Sequence, residues 1–371
     1  SSGGERPACI DEELWPTNVQ ASSFEVTGTD EAGNLVIVPC EFFGTTVEPD
    51  SSSSGQWKVT HTACYAQNWG NLLSVYWHAR GVAALLGAGF ASSGFNESLM
   101  RYFPQVATPG PEVAPDMQAL AEACDGCRGW KAAHPAACRG AWAWIRPLIQ
   151  RDTQAAIDAF LDSTGSITPT FAPWEVVVHL RLDLRHPMQR WPGRSSFEAD
   201  GVFPMGVRKV RILHQPYRPE HFVAGWTRRG NVFGHTHRDS YMTKHLHDRA
   251  IERGLDTLLQ GYQDLLQNVC GAHCEVLTET GSQAEDFIKI TRAPVTFCTG
   301  SSFCLWAGMA NDRGQVHFPA GVGAHFAGHN PDKPDLGSAF HWRHEPRLGN
   351  DEVYLFTRMT PEEVVSWIWT H

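Results

Sequence analysis

The strongest constraint on the fold is a run of three valines at residues 176–178. Consecutive β-branched residues predict a buried strand, because these side chains pack well on a pleated surface. His179, Leu180 and Arg181 follow, so the strand would deliver a cation to the loop at its end. Open α/β sheets bind ligands beyond the carboxyl ends of their strands, and a guanidinium holds phosphate through two parallel hydrogen bonds. The segment predicts either a phosphate site or an exposed strand end with a solvated arginine.

Strands alternate with helices along the rest of the chain, which favours an α/β fold with parallel sheets. Further strands are predicted at residues 34–39, 57–60, 274–278 and 295–298. Helices are predicted at residues 72–86, 141–162, 241–269, 284–291, 304–311 and 360–369. Residues 186–240 are predicted to be irregular, and residues 91–140 form an insertion rich in Pro, Gly and Cys.

Charge and cysteine content narrow the classes of function. The formal net charge of −10 comes without any block of Lys and Arg, which argues against nucleic acid as a partner. The ten cysteines are an even number, which favours disulfides and an oxidising compartment. Cys124, Cys127 and Cys138 could instead bind zinc, but the sequence lacks a second Cys-x-x-Cys pair. No apolar run reaches the roughly 20 residues that span a bilayer, and we expect any membrane anchor to precede Ser1.

Two further strand ends carry polar residues. Residues 299–303, Thr-Gly-Ser-Ser-Phe, join a strand to a helix and offer amides, two hydroxyls and a positive helix end to an anion. The alternative is an ordinary helix N-cap at Ser301 or Ser302. Glu279 ends another strand, where its carboxylate could accept hydrogen bonds from a purine base or from ribose, or could simply be solvated.

Four motifs occur in order: Trp-Gly-Asn-Leu-Leu from Trp69, Val-Val-His-Leu-Arg ending at Arg181, Leu-Thr-Glu ending at Glu279, and Gly-Ser-Ser-Phe-Cys-Leu-Trp ending at Trp306. This order resembles the fucosyltransferase superfamily of α1,2-, α1,6- and protein O-fucosyltransferases. The resemblance implies a GT-B fold, with two Rossmann-like domains facing across a cleft. It also implies a GDP-fucose donor, an inverting reaction that needs neither metal nor cofactor, and a Golgi-lumenal, type II membrane protein.

The resemblance assigns roles to individual residues. Arg181 would bind the β-phosphate and stabilise the departing GDP, while His179 would brace the site or touch the nucleotide. Gly70 and Asn71 would approach the sugar from the N-terminal domain, with Asn71 taking part in catalysis. The guanine or ribose would be held by Glu279 and Asp286, and the diphosphate by Ser301, Ser302 and Phe303.

The general base is not identifiable from the motifs, and its candidates are Asp183, His235 and His237. The resemblance also divides the chain into four regions. They are a stem at residues 1–55, an acceptor-side domain with the Cys-rich insertion at 56–174, a nucleotide-sugar domain at 175–355, and a C-terminal helix at 356–371. The acceptor would be a glycan or a glycoprotein.

Two other functions compete with this interpretation. The segment Val-Phe-Gly-His-Thr-His, ending at His237, matches the Gly-His-x-His end of calcineurin-like metallophosphoesterases, and His214, His245 and His247 add possible ligands. That family also needs Asp-x-His, Gly-Asp and Gly-Asn-His segments upstream, which the sequence lacks. The fourteen tryptophans are also compatible with a noncatalytic carbohydrate-binding module.

Overall fold

The computed structural model describes residues 24–29, 35–40, 44–49, 57–62, 69–86, 89–93, 139–181, 192–198, 203–214, 249–319, 339–343 and 361–371. The strands are β1 (Phe24–Thr29), β2 (Leu35–Cys40), β3 (Gly44–Pro49), β4 (Trp57–Thr62), β5 (Gly89–Ser93), β6 (Glu175–Leu180), β7 (Lys209–His214), β8 (Glu275–Glu279), β9 (Val295–Cys298), β10 (Gln315–Pro319) and β11 (Phe340–Arg343). The helices are α1 (Trp69–Leu86), α2 (Arg139–Thr164), α3 (Arg194–Glu198), α4 (Arg249–Cys270), α5 (Gln283–Arg292), α6 (Ser302–Met309) and α7 (Pro361–Thr370).

A six-stranded parallel sheet organises the C-terminal half, in the order β11-β10-β9-β6-β7-β8. Counted from β6 as the first strand, this is the 3-2-1-4-5-6 order of doubly wound nucleotide-binding sheets. The strand order reverses between β6 and β9, which are neighbours although α3, α4 and α5 separate them in sequence. The predicted α/β fold with a parallel sheet is therefore confirmed.

Both faces of this sheet are covered by helices, so β6 is buried along its whole length. On one face, Val177 and Leu213 share a core with residues of α1, α2, α5 and α6. On the other face, Val176 and Val178 pack with residues of α3, α4 and α7. The alternation of side chains along a strand explains why a continuous apolar run serves both cores.

Helix α1 links the N-terminal part of the chain to this sheet. Its Trp69, Leu73 and Trp77 are buried in the same core as Phe287 of α5 and Phe303 of α6. A smaller sheet has the order β3-β4-β5. In it, β3 pairs antiparallel with β4, and β4 pairs parallel with β5. The N-terminus of α1 therefore packs against α6, which covers one face of the large sheet. Along the rest of its length, α1 contacts α2, β3, β4 and β5.

Three predictions from the sequence were wrong. Residues 186–240 are not wholly irregular, because they contain α3 and the central strand β7, whose Lys209 and Arg211 interrupt its apolar pattern. The described part of residues 1–55 already contains three strands where one was predicted, and β3 is part of the small sheet. The Cys-rich insertion begins later than residue 91, since β5 extends to Ser93.

None of the helices within the described ranges combines the length and the apolar character needed to cross a membrane.

Candidate anion-binding site

The carboxyl ends of β6 and β9 meet at the point where the strand order reverses. His179, near the end of β6, is 4% exposed, and Arg181, the first residue beyond the strand, is half-buried. Thr299, the first residue beyond β9, bridges the two strand ends: its hydroxyl donates to the carbonyl oxygen of His179 over 3.0 Å and accepts from the amide of Arg181 over 3.1 Å. The backbone of Arg181 is thus hydrogen-bonded to Thr299, the first residue of the segment 299–303.

Residues 299–303, called here the Ser301 turn, lead from β9 into α6. Ser301 occupies the N-cap position with extended backbone, but its side chain caps no helix amide. Its Oγ is buried, the residue is only 1% exposed, and no group in the described ranges hydrogen-bonds to this oxygen. A buried hydroxyl without a partner costs free energy unless a ligand or water satisfies it. The ordinary N-cap, which was the alternative interpretation of this serine, is therefore not formed.

Beside this hydroxyl, the start of α6 offers backbone amides that can donate hydrogen bonds. The first intrahelical bond runs from the amide of Leu305 to the carbonyl of Ser301, so the amides of Ser302, Phe303 and Cys304 precede it. Cys298 and Cys304 form a disulfide across the turn, which holds the end of β9 to the first turn of the helix. A helix start with an adjacent hydroxyl is a site that suits phosphate oxygens.

Gly70, in the first turn of α1, lies directly against this helix start. A Cβ at Gly70 would stand 2.3 Å from Oγ of Ser302 and 2.7 Å from the backbone nitrogen of Phe303, so no larger residue fits without a shift. The rings of Trp69 and Phe303 are in contact beside this glycine, with their centroids 6.4 Å apart. The ring of His179 lies 5.7 Å from that of Phe303. Gly70, His179, Ser302 and Phe303 therefore lie close together in the fold.

Glu279 lies at the end of β8, two strands from β6, and its carboxylate already has two cationic partners. Arg211 donates to Oε1 and Lys289 to Oε2, each over 2.8 Å. Burial alone would raise the pKa of Glu279, but the hydrogen bonds from Lys289 and Arg211 hold it below the ordinary value. The carboxylate stays ionised and serves an ion-pair network that also includes Glu175.

Asp286, in the first turn of α5, has the opposite environment. The residue is 5% exposed, and its Oδ1 is buried with no hydrogen-bond partner in the described part of the chain. Burial raises the pKa of Asp286 to about 7, with the nearby charges of Glu285 and Glu279 adding to the rise and Lys289 opposing it. A Cβ at Gly281 would stand 2.7 Å from Oδ1, so the loop backbone approaches the carboxyl closely.

The remaining predicted residues are only partly placed. Asn71 follows Gly70 in α1, and its side chain is outside the described set. Asp183 also lies outside the described residues, as do His235, His237, His245, His247 and the Cys124, Cys127 and Cys138 group. Among the residues that are described, no three or more His, Cys, Asp or Glu side chains gather as a metal site. Two disulfides, Cys270 with Cys274 and Cys298 with Cys304, account for four cysteines.

Sequence reasoning missed Thr299 as an individual site residue, and it missed the two cations that hold Glu279. A threonine directly after a predicted strand is a usable signal for the former. Arg211 reaches Glu279 through the pairing of β7 with β8, although it lies 68 residues away in sequence, and Lys289 reaches it from α5.

Comparisons with known proteins assign no family: no family model, no curated protein and no solved structure matches the chain.

The carboxyl of Asp286 predicts a pH dependence of stability. Its pKa is raised in the folded state, so the folded chain binds more protons than the unfolded chain between about pH 4 and pH 7, and stability falls as pH rises through that window. Asp286→Asn should remove this fall and raise the free energy of unfolding at pH 8 by up to about 4 kcal/mol, since each pKa unit corresponds to about 1.4 kcal/mol. Urea unfolding at pH 5 and pH 8 measures the difference.

Glu285→Gln is the matched control, because its neighbour Ser282 donates a backbone hydrogen bond that lowers the pKa of Glu285. That variant keeps the capping box, because glutamine also accepts the hydrogen bond from the amide of Ser282, and it should lose only about 0.5 kcal/mol at pH 8 through the missing charge at the helix N-terminus. An Asp286→Asn variant that is no more stable than the wild-type chain at pH 8 would contradict the burial of an uncompensated carboxyl.

Proposed function

We propose that this chain is an inverting, metal-independent glycosyltransferase of the GT-B type. It transfers fucose, or a related sugar, from a GDP-sugar to a glycan or glycoprotein acceptor. The observation that carries the proposal is the buried hydroxyl of Ser301 at the start of α6, which has no hydrogen-bond partner among the described residues and lies beside the strand end that bears Arg181. A diphosphate would supply the hydrogen-bond partner that this oxygen lacks.

The position of the Ser301 turn supports a nucleotide ligand. Doubly wound sheets bind nucleotides in the crevice beyond the strand ends where the strand order reverses, which here lies between β6 and β9. Arg181 and the Ser301 turn extend from those two strands. Glycosyl transfer leaves negative charge on the departing diphosphate, and fixed donors stabilise such charge because they need no reorganisation during the reaction. In this proposal Arg181, Ser301 and the amides of α6 hold GDP in the transition state.

The sugar would lie toward α1. The backbone of α1 at Gly70 lies directly against Ser302 and the amide of Phe303, so a ligand at the start of α6 would be bordered by the first turn of α1. Asn71 is the next residue and is proposed to contact the sugar, with Asp183 proposed as a catalytic group beyond Arg181. His179 is proposed to brace the nucleotide through its contact with Phe303.

The contrast between the two carboxylates favours Asp286 as the group that reads the base. Guanine presents an N1–H and an exocyclic amino group side by side, and an ionised carboxylate accepts both. Oδ1 of Asp286 is buried and has no hydrogen-bond partner in the part of the chain that the structure describes, whereas both oxygens of Glu279 are already paired with cations. Because burial raises the pKa of Asp286 to about 7, GDP binding should weaken as pH falls below 7. Glu279 is proposed to lie beside the nucleotide, where its network supports the ribose side of the site.

The proposed compartment is the secretory pathway, with a Golgi-lumenal enzyme as the expected form. The two disulfides are compatible with an oxidising lumen. A glycan or glycoprotein acceptor follows from the proposed class of enzyme.

The role proposed for Arg181 is tested by transfer of labelled sugar from GDP-fucose. Arg181→Ala should lower turnover by at least about 100-fold, because it removes the charge that stabilises the leaving diphosphate. Transfer by the wild-type chain should persist in EDTA. Arg208→Ala is the control, since Arg208 packs on Trp174 ahead of β7, at the opposite end of the sheet. Full activity of Arg181→Ala, or a requirement for added Mn²⁺, would contradict the proposal.

The base assignment is tested by comparing GDP with UDP in calorimetric titrations. Asp286→Asn should weaken GDP binding about tenfold or more and leave UDP binding unchanged, because a neutral amide cannot accept both guanine hydrogen bonds. Glu279→Gln should lose stability through its ion pairs while the preference for GDP over UDP stays. If Glu279→Gln abolishes that preference and Asp286→Asn retains it, the two assignments must be exchanged.

A further inference from the structure

One threonine connects the two strand ends that form the proposed site. The hydroxyl of Thr299 donates to the carbonyl oxygen of His179 over 3.0 Å and accepts from the amide of Arg181 over 3.1 Å. The amide of Thr299 donates to the same carbonyl over 3.2 Å. Thr299 is 1% exposed, so water does not compete for these bonds. The side chain of Thr299 thus joins the end of β9 to Arg181, which lies 118 residues away in sequence.

We propose that Thr299 is a positioning residue whose hydroxyl fixes Arg181 relative to Ser301, which deepens and rests on the proposed function. The pairing of β6 with β9 ends at His179 and Cys298, so Arg181 lies beyond the last paired position. The threonine hydroxyl takes the place of the next hydrogen bond of the ladder. Ser301 follows Thr299 by two residues. The hydrogen bond between Thr299 and the amide of Arg181 therefore sets the position of Arg181 relative to the hydroxyl of Ser301.

The hydroxyl has a contribution that the backbone of residue 299 cannot supply. A valine at this position keeps the shape of threonine and the hydrogen bond from the residue 299 amide to His179, but it removes the hydrogen bond that the amide of Arg181 donates to the hydroxyl. Loss of that bond removes one restraint on the peptide unit of Arg181 and so on the position of its Cα. Preorganised charge loses its effect on a transition state when the group must first be repositioned.

The experiment measures GDP affinity and turnover in Thr299→Val, with Thr299→Ser as the variant that restores the hydroxyl. Loss of one hydrogen bond to a backbone amide should raise the Kd for GDP about tenfold in Thr299→Val. Turnover should fall by more than the donor KM rises, and Thr299→Ser should stay close to wild type. Thr299→Ala makes the same comparison should the valine variant not fold.

Thr296→Val is the matched control for a general loss of stability. Thr296 is also a fully buried threonine of β9, and its hydroxyl donates to the carbonyl oxygen of Ile290, away from the proposed site. This variant should lower the melting temperature while the Kd for GDP stays unchanged. A similar loss of GDP affinity in both valine variants would overturn the positioning role.

A double-mutant cycle separates positioning from structure, because a residue that acts through Arg181 has no effect once that side chain is removed. In an Arg181→Met background, Thr299→Val should leave the Kd for GDP unchanged. An equal loss with and without the arginine side chain would overturn the inference.

If the wild-type chain binds no GDP, the proposed function fails instead. Hydrogen exchange of the Arg181 amide then decides the inference: faster exchange in Thr299→Val than in Thr299→Ser supports the bond, and equal rates overturn it.

Discussion

The parallel pairing of β6 with β9 is the constraint on which the candidate site depends. The paired residues are 119 positions apart in sequence, since Val177, Val178 and His179 lie opposite Thr296, Phe297 and Cys298. This register places the first residues beyond both strands side by side, where Thr299 joins them. Without the pairing, Arg181 would be a solvated strand end and the Ser301 turn an unremarkable start of a helix.

Burial and pairing give the two carboxylates near the site different chemistry. Glu279 has a cation on each oxygen and a lowered pKa, so it stabilises the sheet as a permanent charge. Asp286 has a buried oxygen without a hydrogen-bond partner among the described residues, and its pKa is raised to about 7. Buried polar groups with shifted pKa values are more frequent at functional sites than elsewhere in proteins.

Two neighbouring strands of the large sheet show what the sequence pattern could and could not predict. The valines of β6 marked a buried strand correctly, whereas Lys209 and Arg211 concealed β7 within a segment rich in His, Arg and Pro. The four motifs identified Gly70, His179, Ser302 and Phe303, which the fold brings together. Sequence could not distinguish Glu279 from Asp286, because tertiary pairing with Arg211 decides the first and burial the second.

Hydrogen–deuterium exchange of the chain with and without GDP tests most directly whether the crevice between β6 and β9 holds the diphosphate. Bound phosphate oxygens should protect the amides of Ser302, Phe303 and Cys304, together with the segment from His179 to Arg181, and should do so in EDTA. Peptides from α7, which packs on the opposite face of the sheet, should exchange at the same rate in both states. Saturating GDP that protects other segments and leaves the Ser301 turn unchanged would contradict this account.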